Sequence, residues 1–195
     1  MSGLCDRRTT LQTLIVMLAG CGWLGGGQPP LATGAEQRGG VQVELVDHDG
    51  LMAAVAARKG TVVVLDCWST SCPPCVKEFP RLVALAAANP DRVACLSLAF
   101  DYEGIGTPEE SLPRVRGFLE EVGAGDVCNM LSREDADLMY RKLNLTSVPA
   151  VYVWNPDGSL AVRYDDDYAS KKLGRPFTYA DVEATVQHLL ATPTP

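Results

Sequence analysis

The stretch Val62-Val63-Val64-Leu65-Asp66-Cys67-Trp68-Ser69-Thr70-Ser71-Cys72-Pro73-Pro74-Cys75 decides how the rest of the chain is read. A short, β-branched apolar run reads as a buried strand, and it stops at Trp68. After Cys75 the apolar residues Val76, Phe79, Leu82, Val83, Leu85 and Ala86 recur at helical spacing, so a helix with one apolar face follows. Cys72 and Cys75 thus sit where a strand hands over to the N-terminus of a helix. Unpaired backbone N–H groups and the helix macrodipole at that end favour negative charge, which stabilises a thiolate and makes a cysteine nucleophilic.

Working outward, Val41–Val46 alternates apolar and polar residues, which predicts a strand. Asp47-His48-Asp49-Gly50 supplies turn and cap residues before a short Ala-rich helix over 51–58 that ends at Gly60. The helix after Cys75 extends from about Pro73 to Ala88; Pro80 falls inside it and predicts a kink. Arg92–Phe100 is a near-continuous apolar run, as a strand covered on both faces requires. Pro108-Glu109-Glu110 opens a helix to about Val122, with Pro113 obscuring its true start. A strand over 127–131 and a helix over 136–143 follow, Ser132 and Asp135 approximating a capping box. Thr146–Trp154, the turn Asn155-Pro156-Asp157-Gly158 and Ser159–Tyr164 read as an antiparallel hairpin. Asp165-Asp166-Asp167 reads as an acidic loop, and 178–190 as the last helix. Helices alternating with strands predict an α/β domain over 41–192, with a central mixed β-sheet flanked by helices on both faces.

The ends of the chain carry different signals. Arg7 and Arg8, the apolar run Leu11–Leu18 and then Leu18-Ala19-Gly20-Cys21 make residues 1–20 an export signal. Leu-Ala-Gly-Cys looks like a lipobox, which implies cleavage before Cys21 and lipidation of its thiol. The apolar run is short for a spanning helix of roughly 20 residues. The Arg7-Arg8 pair also resembles a twin-arginine signal, so the export route stays open. Residues 21–40, with Gly25, Gly26, Gly27, Pro29 and Pro30, have no periodicity and read as a flexible tether.

Composition narrows the function classes. The 195-residue chain has 24 acidic against 17 basic residues, a net charge of −7, and no basic cluster, so nucleic acid and anionic membrane surfaces are poor partners. Seven cysteines suggest a disulfide framework, but Cys5 and Cys21 lie in the leader, Cys72 and Cys75 are too close to staple a fold, and the count is odd. Cys95 and Cys128 fall within apolar strands and read as small buried hydrophobes. Cys67, Cys72 and Cys75 match the C-x4-C-x2-C spacing of plant-type ferredoxins, but those ligands come from a wrapping loop rather than a Val-rich strand. Zinc would need a second Cys pair or a His pair, and only His48 and His188 exist. No metal or other cofactor is therefore expected.

Asp66 and Trp68, Cys72-Pro73-Pro74-Cys75, Lys77-Glu78-Phe79-Pro80 and Ser147-Val148-Pro149, in that order over roughly residues 41–191, resemble the thioredoxin superfamily and within it the membrane-tethered TlpA-like thiol–disulfide oxidoreductases. Two positions depart from the pattern: Ser71, where a Trp is usual, and Cys67, where an aromatic is usual. The resemblance implies a thioredoxin-like fold and a redox-active pair, Cys72 attacking and Cys75 resolving. It implies Asp66 as the proton acceptor of Cys75, and Glu78 as a residue that modulates the site. Trp68, Pro73, Pro74, Val148 and Pro149 are the expected substrate-binding residues, with a cis bond before Pro149 presenting the Val148 backbone to an extended segment. The expected partners are a disulfide-bearing exported protein (apocytochrome c is one candidate) and a membrane-side electron donor. The expected location is extracytoplasmic, with a lipid anchor at Cys21. A different class stays open: a non-catalytic thioredoxin-like module that only holds an extended polypeptide.

Overall fold

The computed structural model describes residues 40–192; the export signal, Cys21 and the tether up to residue 39 lie outside the described residues. Six strands form one sheet in the order β1-β4-β3-β2-β5-β6. They are β1 (Val43–Val46), β2 (Val62–Trp68), β3 (Val93–Ala99), β4 (Cys128–Ser132), β5 (Ala150–Trp154) and β6 (Leu160–Tyr164). The first four lie parallel, and β5 runs antiparallel to both of its neighbours, β2 and β6, so the sheet is mixed as expected. Every residue of β2 is buried, which explains why its letters are apolar on both faces save for Asp66: both faces of this central strand are covered.

Strand alternation sorts β2 into two faces. Val62, Val64 and Trp68 join a core with α2 (Pro73–Ala88), α3 (Leu112–Glu121) and α6 (Tyr179–Ala191), filled by Phe79, Leu82, Val115, Leu119, Val182 and Val186. On the other face, Val63 and Trp154 lie against Val55 and Ala56 of α1 (His48–Ala56). Towards the opposite end of that face, Tyr140 of α4 (Ala136–Leu143) stacks on Phe100 at 4.7 Å, and the Tyr152 hydroxyl donates to Leu143 O at 2.7 Å.

Local chemistry corrects several boundaries. Asp47 caps α1 by accepting from Gly50 N at 2.8 Å, so this helix starts at His48 instead of Leu51. Pro108–Ser111 forms a separate 3-10 turn, and α3 proper opens at Leu112, with Pro113 in the first turn where a missing N–H costs nothing. Asp135, not Ser132, is the N-cap of α4, accepting from Leu138 N at 2.9 Å. The acidic run is helical: buried Asp165 caps α5 (Asp166–Tyr168), which a π turn over Ala169–Leu173 continues. Only Ala150–Trp154 of the predicted 146–154 strand pairs as β5. The β5–β6 turn is as its letters suggest: Gly158 N donates to Asn155 O at 2.9 Å, and Gly158 takes φ +88, open to glycine. Helix α2 runs through Pro80 as one 16-residue element, so the proline does not end it. Cys95 and Cys128 are buried in β3 and β4, as their apolar surroundings suggest.

Candidate functional site

Helix α2 begins at the cysteine pair. Cys72 is its N-cap and half-buried, Cys75 is 3% exposed, and a disulfide joins them. Pro73 and Pro74 fill the first two helical positions, where their fixed φ suits the helix but neither brings an N–H. Of the amides that a helix N-terminus normally offers, that of Cys75 is therefore the first available, and it points at Cys72 Sγ from 3.3 Å. Both prolines are exposed beside the pair.

The loop before Cys72 is tied down by hydroxyls and one buried acid. Ser71 N donates to Ser69 Oγ at 3.2 Å, and the two hydroxyls lie 2.9 Å apart. Thr70 donates to Asp101 from its backbone N–H at 3.1 Å and also from its hydroxyl. Arg114 Nε donates to the same carboxylate at 3.2 Å, which leaves the Asp101 side chain 1% exposed, paired and hydrogen-bonded as a buried charge must be. Asp101 went unnoticed in the sequence because it reads as an ordinary loop acid after a strand.

Sheet topology supplies the opposite wall. Because β5 is antiparallel to β2 and Ala150 pairs with Cys67, the residues just before Ala150 fall beside the C-terminal end of β2. The Val148–Pro149 bond is cis, and Val148 O lies 3.8 Å from Cys72 Sγ. Ser147 Oγ donates to Asp166 Oδ2 at 2.7 Å, holding this segment against α5. Between the two walls is an open cleft of about 360 Å³, lined by Ser71, Cys72 and Val148 with Glu103, Asp137 and Tyr140. Ser71 is exposed at its rim.

Asp66 is 3% exposed on the β2 face that α2 and α6 cover. The Tyr179 phenol, from the first turn of α6, donates to Asp66 Oδ2 at 2.5 Å. Burial pushes the Asp66 carboxyl from its usual 3.8 up to about 7, against the downward pull of that hydrogen bond. Burial also raises the Tyr179 phenol well above its usual range, with the Asp66 charge adding to it. Glu78, half-buried on α2, accepts the backbone N–H of Tyr179 at 3.4 Å. Tyr179 was missed: the Thr178-Tyr179-Ala180-Asp181 capping box announces a helix start, but nothing local points to a partner 113 residues away.

Trp68 falls elsewhere than expected, and Cys67 lies in the strand where the sequence puts it. Trp68 is 0% exposed and packs on Phe79 and Phe118 at ring distances of 4.8 and 4.9 Å; its place is in the core under the site, not in contact with substrate. Cys67 alternates with Asp66 and Trp68 and so faces away from α2, and burial raises its thiol well above the usual range. The C-x4-C-x2-C spacing is thus split between the two sides of the sheet. Among the described residues, no group of three or more His, Cys, Asp and Glu is placed to hold a metal, and no helix is long and apolar enough to cross a membrane.

No family model matches the sequence, and no curated protein is significantly similar to it. Solved structures are. A protein of the thioredoxin-like superfamily superposes with a TM-score of 0.52 at 21% identity, over 72% of this chain and 87% of its own. The pneumococcal exposed lipoprotein thioredoxin of Streptococcus pneumoniae gives 0.51 at 16% identity, over 69% and 89%. A structure from Chlorobium tepidum named as a thiol:disulfide interchange protein gives 0.50 at 20% identity, over 70% and 83%. At these identities the likeness establishes the fold, which is thioredoxin-like.

Proposed function

We propose that this thioredoxin-like chain is a thiol–disulfide oxidoreductase, anchored outside the cytoplasm by a lipid at Cys21, that reduces disulfides of exported proteins. The observation that carries the reading is the asymmetry of the pair: Cys72 half-exposed at a helix N-terminus and facing the Val148 carbonyl, Cys75 buried behind it. An attacking thiol must reach a substrate, and a resolving thiol must be sheltered from one.

With the pair reduced, the Cys72 thiolate attacks one sulfur of a substrate disulfide. A Cys72–substrate disulfide forms, and the other substrate sulfur leaves as a thiolate that takes a proton from water. The Cys75 thiol gives its proton to Asp66, and the resulting thiolate attacks Cys72 Sγ. The Cys72–Cys75 bond forms, and the second substrate sulfur leaves. The substrate gains two electrons and the pair loses two; a membrane-side dithiol donor returns them. An acceptor with a pKa near neutrality suits Asp66 to this transfer, since it can take a proton and release it again. The cleft beside Cys72 would seat the substrate chain, extended along Val148. The signal and tether read in residues 1–40, together with the lipobox Cys21, support the location.

The test is an equilibrium titration of the full chain against glutathione or dithiothreitol buffers, read by alkylation mass shift at Cys72 and Cys75. A reversible two-electron couple near or below about −230 mV supports a reductant, and a value near about −120 mV reverses the direction. Absence of a reversible couple overturns the enzyme and leaves a module that only holds an extended polypeptide.

A further inference from the structure

We infer that Tyr179 is a positioning residue for the proton transfer between Cys75 and Asp66, and that Glu78 acts on the site by holding Tyr179. This rests on the exchange chemistry proposed above.

The geometry is specific. Tyr179 is 2% exposed, and among the described residues its phenol is the only hydrogen-bond donor to the Asp66 carboxylate. It engages Oδ2, and no other hydrogen bond among the described residues engages the carboxylate, so Oδ1 stays open to accept a proton. A phenol this deeply buried keeps its proton across the working pH range, so it donates throughout and never competes as an acceptor for that proton. A hydrogen bond donated to a buried carboxylate favours the charged, proton-accepting form; without it only burial would act, and burial favours the neutral acid. The Cys95 thiol on β3 and, from the far side of β2, the Cys67 thiol act electrostatically on this pair, and Glu78 approaches from α2. On α6 itself, Asp181 is occupied by Arg175 at 2.6 and 2.8 Å and by the Thr178 backbone N–H at 2.9 Å.

The first turn of α6 is built to hold Tyr179 in place. The Thr178–Asp181 capping box defines the turn, and Arg81 of α2 grips Glu183 of α6 through two hydrogen bonds of 2.9 and 2.6 Å. Glu78 lies one turn beyond Cys75 and reaches the Tyr179 backbone N–H rather than Asp66. Its influence on the pair therefore runs through the tyrosine.

The experiment uses the reduced full chain and 5,5′-dithiobis(2-nitrobenzoate), an aromatic disulfide whose released thiolate is coloured. The first release reports attack by Cys72, and the second reports resolution by Cys75. Both are followed from pH 5 to 9 in wild type, Tyr179→Phe, Glu78→Ala and Asp66→Asn. Tyr179→Phe keeps the ring and removes one hydroxyl. It should slow the second release about tenfold at pH 7 and move its pH midpoint upward, as expected when a buried charged group loses a donor. The first release serves as the control on folding. Glu78→Ala should shift the second release the same way by a smaller factor, and it carries the test should Tyr179→Phe fail to fold. A Tyr179→Phe profile that superposes on wild type while Asp66→Asn is slow overturns the inference and leaves the exchange chemistry standing. A first release that falls as far as the second makes Tyr179 structural and also overturns it. If wild type shows no second release, the exchange chemistry itself fails and the inference falls with it.

Discussion

Replacing Asp66 with Asn should make this protein more stable, and only where the pH is high enough. In the folded chain the Asp66 carboxyl titrates near 7, against 3.8 for an ordinary aspartate, because burial disfavours its charged form. Between those values the unfolded chain has released this proton and the native state still holds it. The stability associated with the neutral carboxyl is thus fully present below pH 3.8, declines as pH rises, and is lost once pH passes 7. A shift of about three units at 1.36 kcal/mol each puts the loss at about 4 kcal/mol, an order-of-magnitude figure. Asparagine is neutral at every pH, nearly isosteric, and still offers an oxygen to the Tyr179 phenol. Urea unfolding of oxidised wild type and Asp66→Asn should coincide within about 1 kcal/mol near pH 4, where both side chains are neutral. By pH 8 the variant should lead by up to about 4 kcal/mol. A difference that does not change with pH, or an Asn variant that is weaker at pH 8, would refute the assignment of a costly buried carboxylate. The same variant should resolve mixed disulfides slowly, so stability and activity should move in opposite directions.

Other perturbations separate the parts of the site. Pro74→Ala restores an N–H in the first turn of α2, next to Cys72 Sγ. About 0.3–1 kcal/mol of added thiolate stabilisation should lower the Cys72 thiol pKa by roughly 0.2–0.7 unit, measured by alkylation rate against pH. Ser71→Trp should narrow the cleft of about 360 Å³ and slow attack on bulky disulfides several-fold more than on bis(2-hydroxyethyl) disulfide. Because Ser71 is exposed, its urea midpoint should correspond to a change within about 0.5 kcal/mol. Phe79→Ala, under Trp68 and Phe118, should cost about 3–5 kcal/mol in chemical unfolding; a cost under about 1 kcal/mol would contradict the packing described.

How much was legible in the sequence follows from how local each feature is. The strands and helices of the domain were readable because β2, β3 and the α2 face carry their burial in consecutive letters. The cysteine pair and cis Pro149 were readable as motifs. Boundaries failed where one side chain decided them: Asp47 starts α1 early, Asp165 turns an acidic loop into a helix, and Pro113 moves α3. Trp68 was assigned to the substrate because its motif suggested proximity to the cysteines. The alternation that turns it into the core depends on which face α2 covers. Asp101 and Tyr179 were invisible for a plainer reason. Each acts on residues 31 to 113 positions away, and no periodicity encodes that distance.

The antiparallel pairing of β5 with β2 has a consequence for the order in which this protein comes into being. Cys72 and Cys75 emerge from the ribosome well before Val148, Pro149 and Tyr179 exist. A partly made chain therefore carries the thiols without the wall that faces them or the phenol that donates to Asp66. Contacts separated by 76 and 113 residues close late, since the intervening chain must be ordered before they are gained. On the chemistry proposed above, competence to exchange would arrive with the last helix, and a nascent or truncated chain should behave as an ordinary dithiol. The cysteine pair is written near the middle of the sequence, and its surroundings are complete only when the far end of the chain has docked.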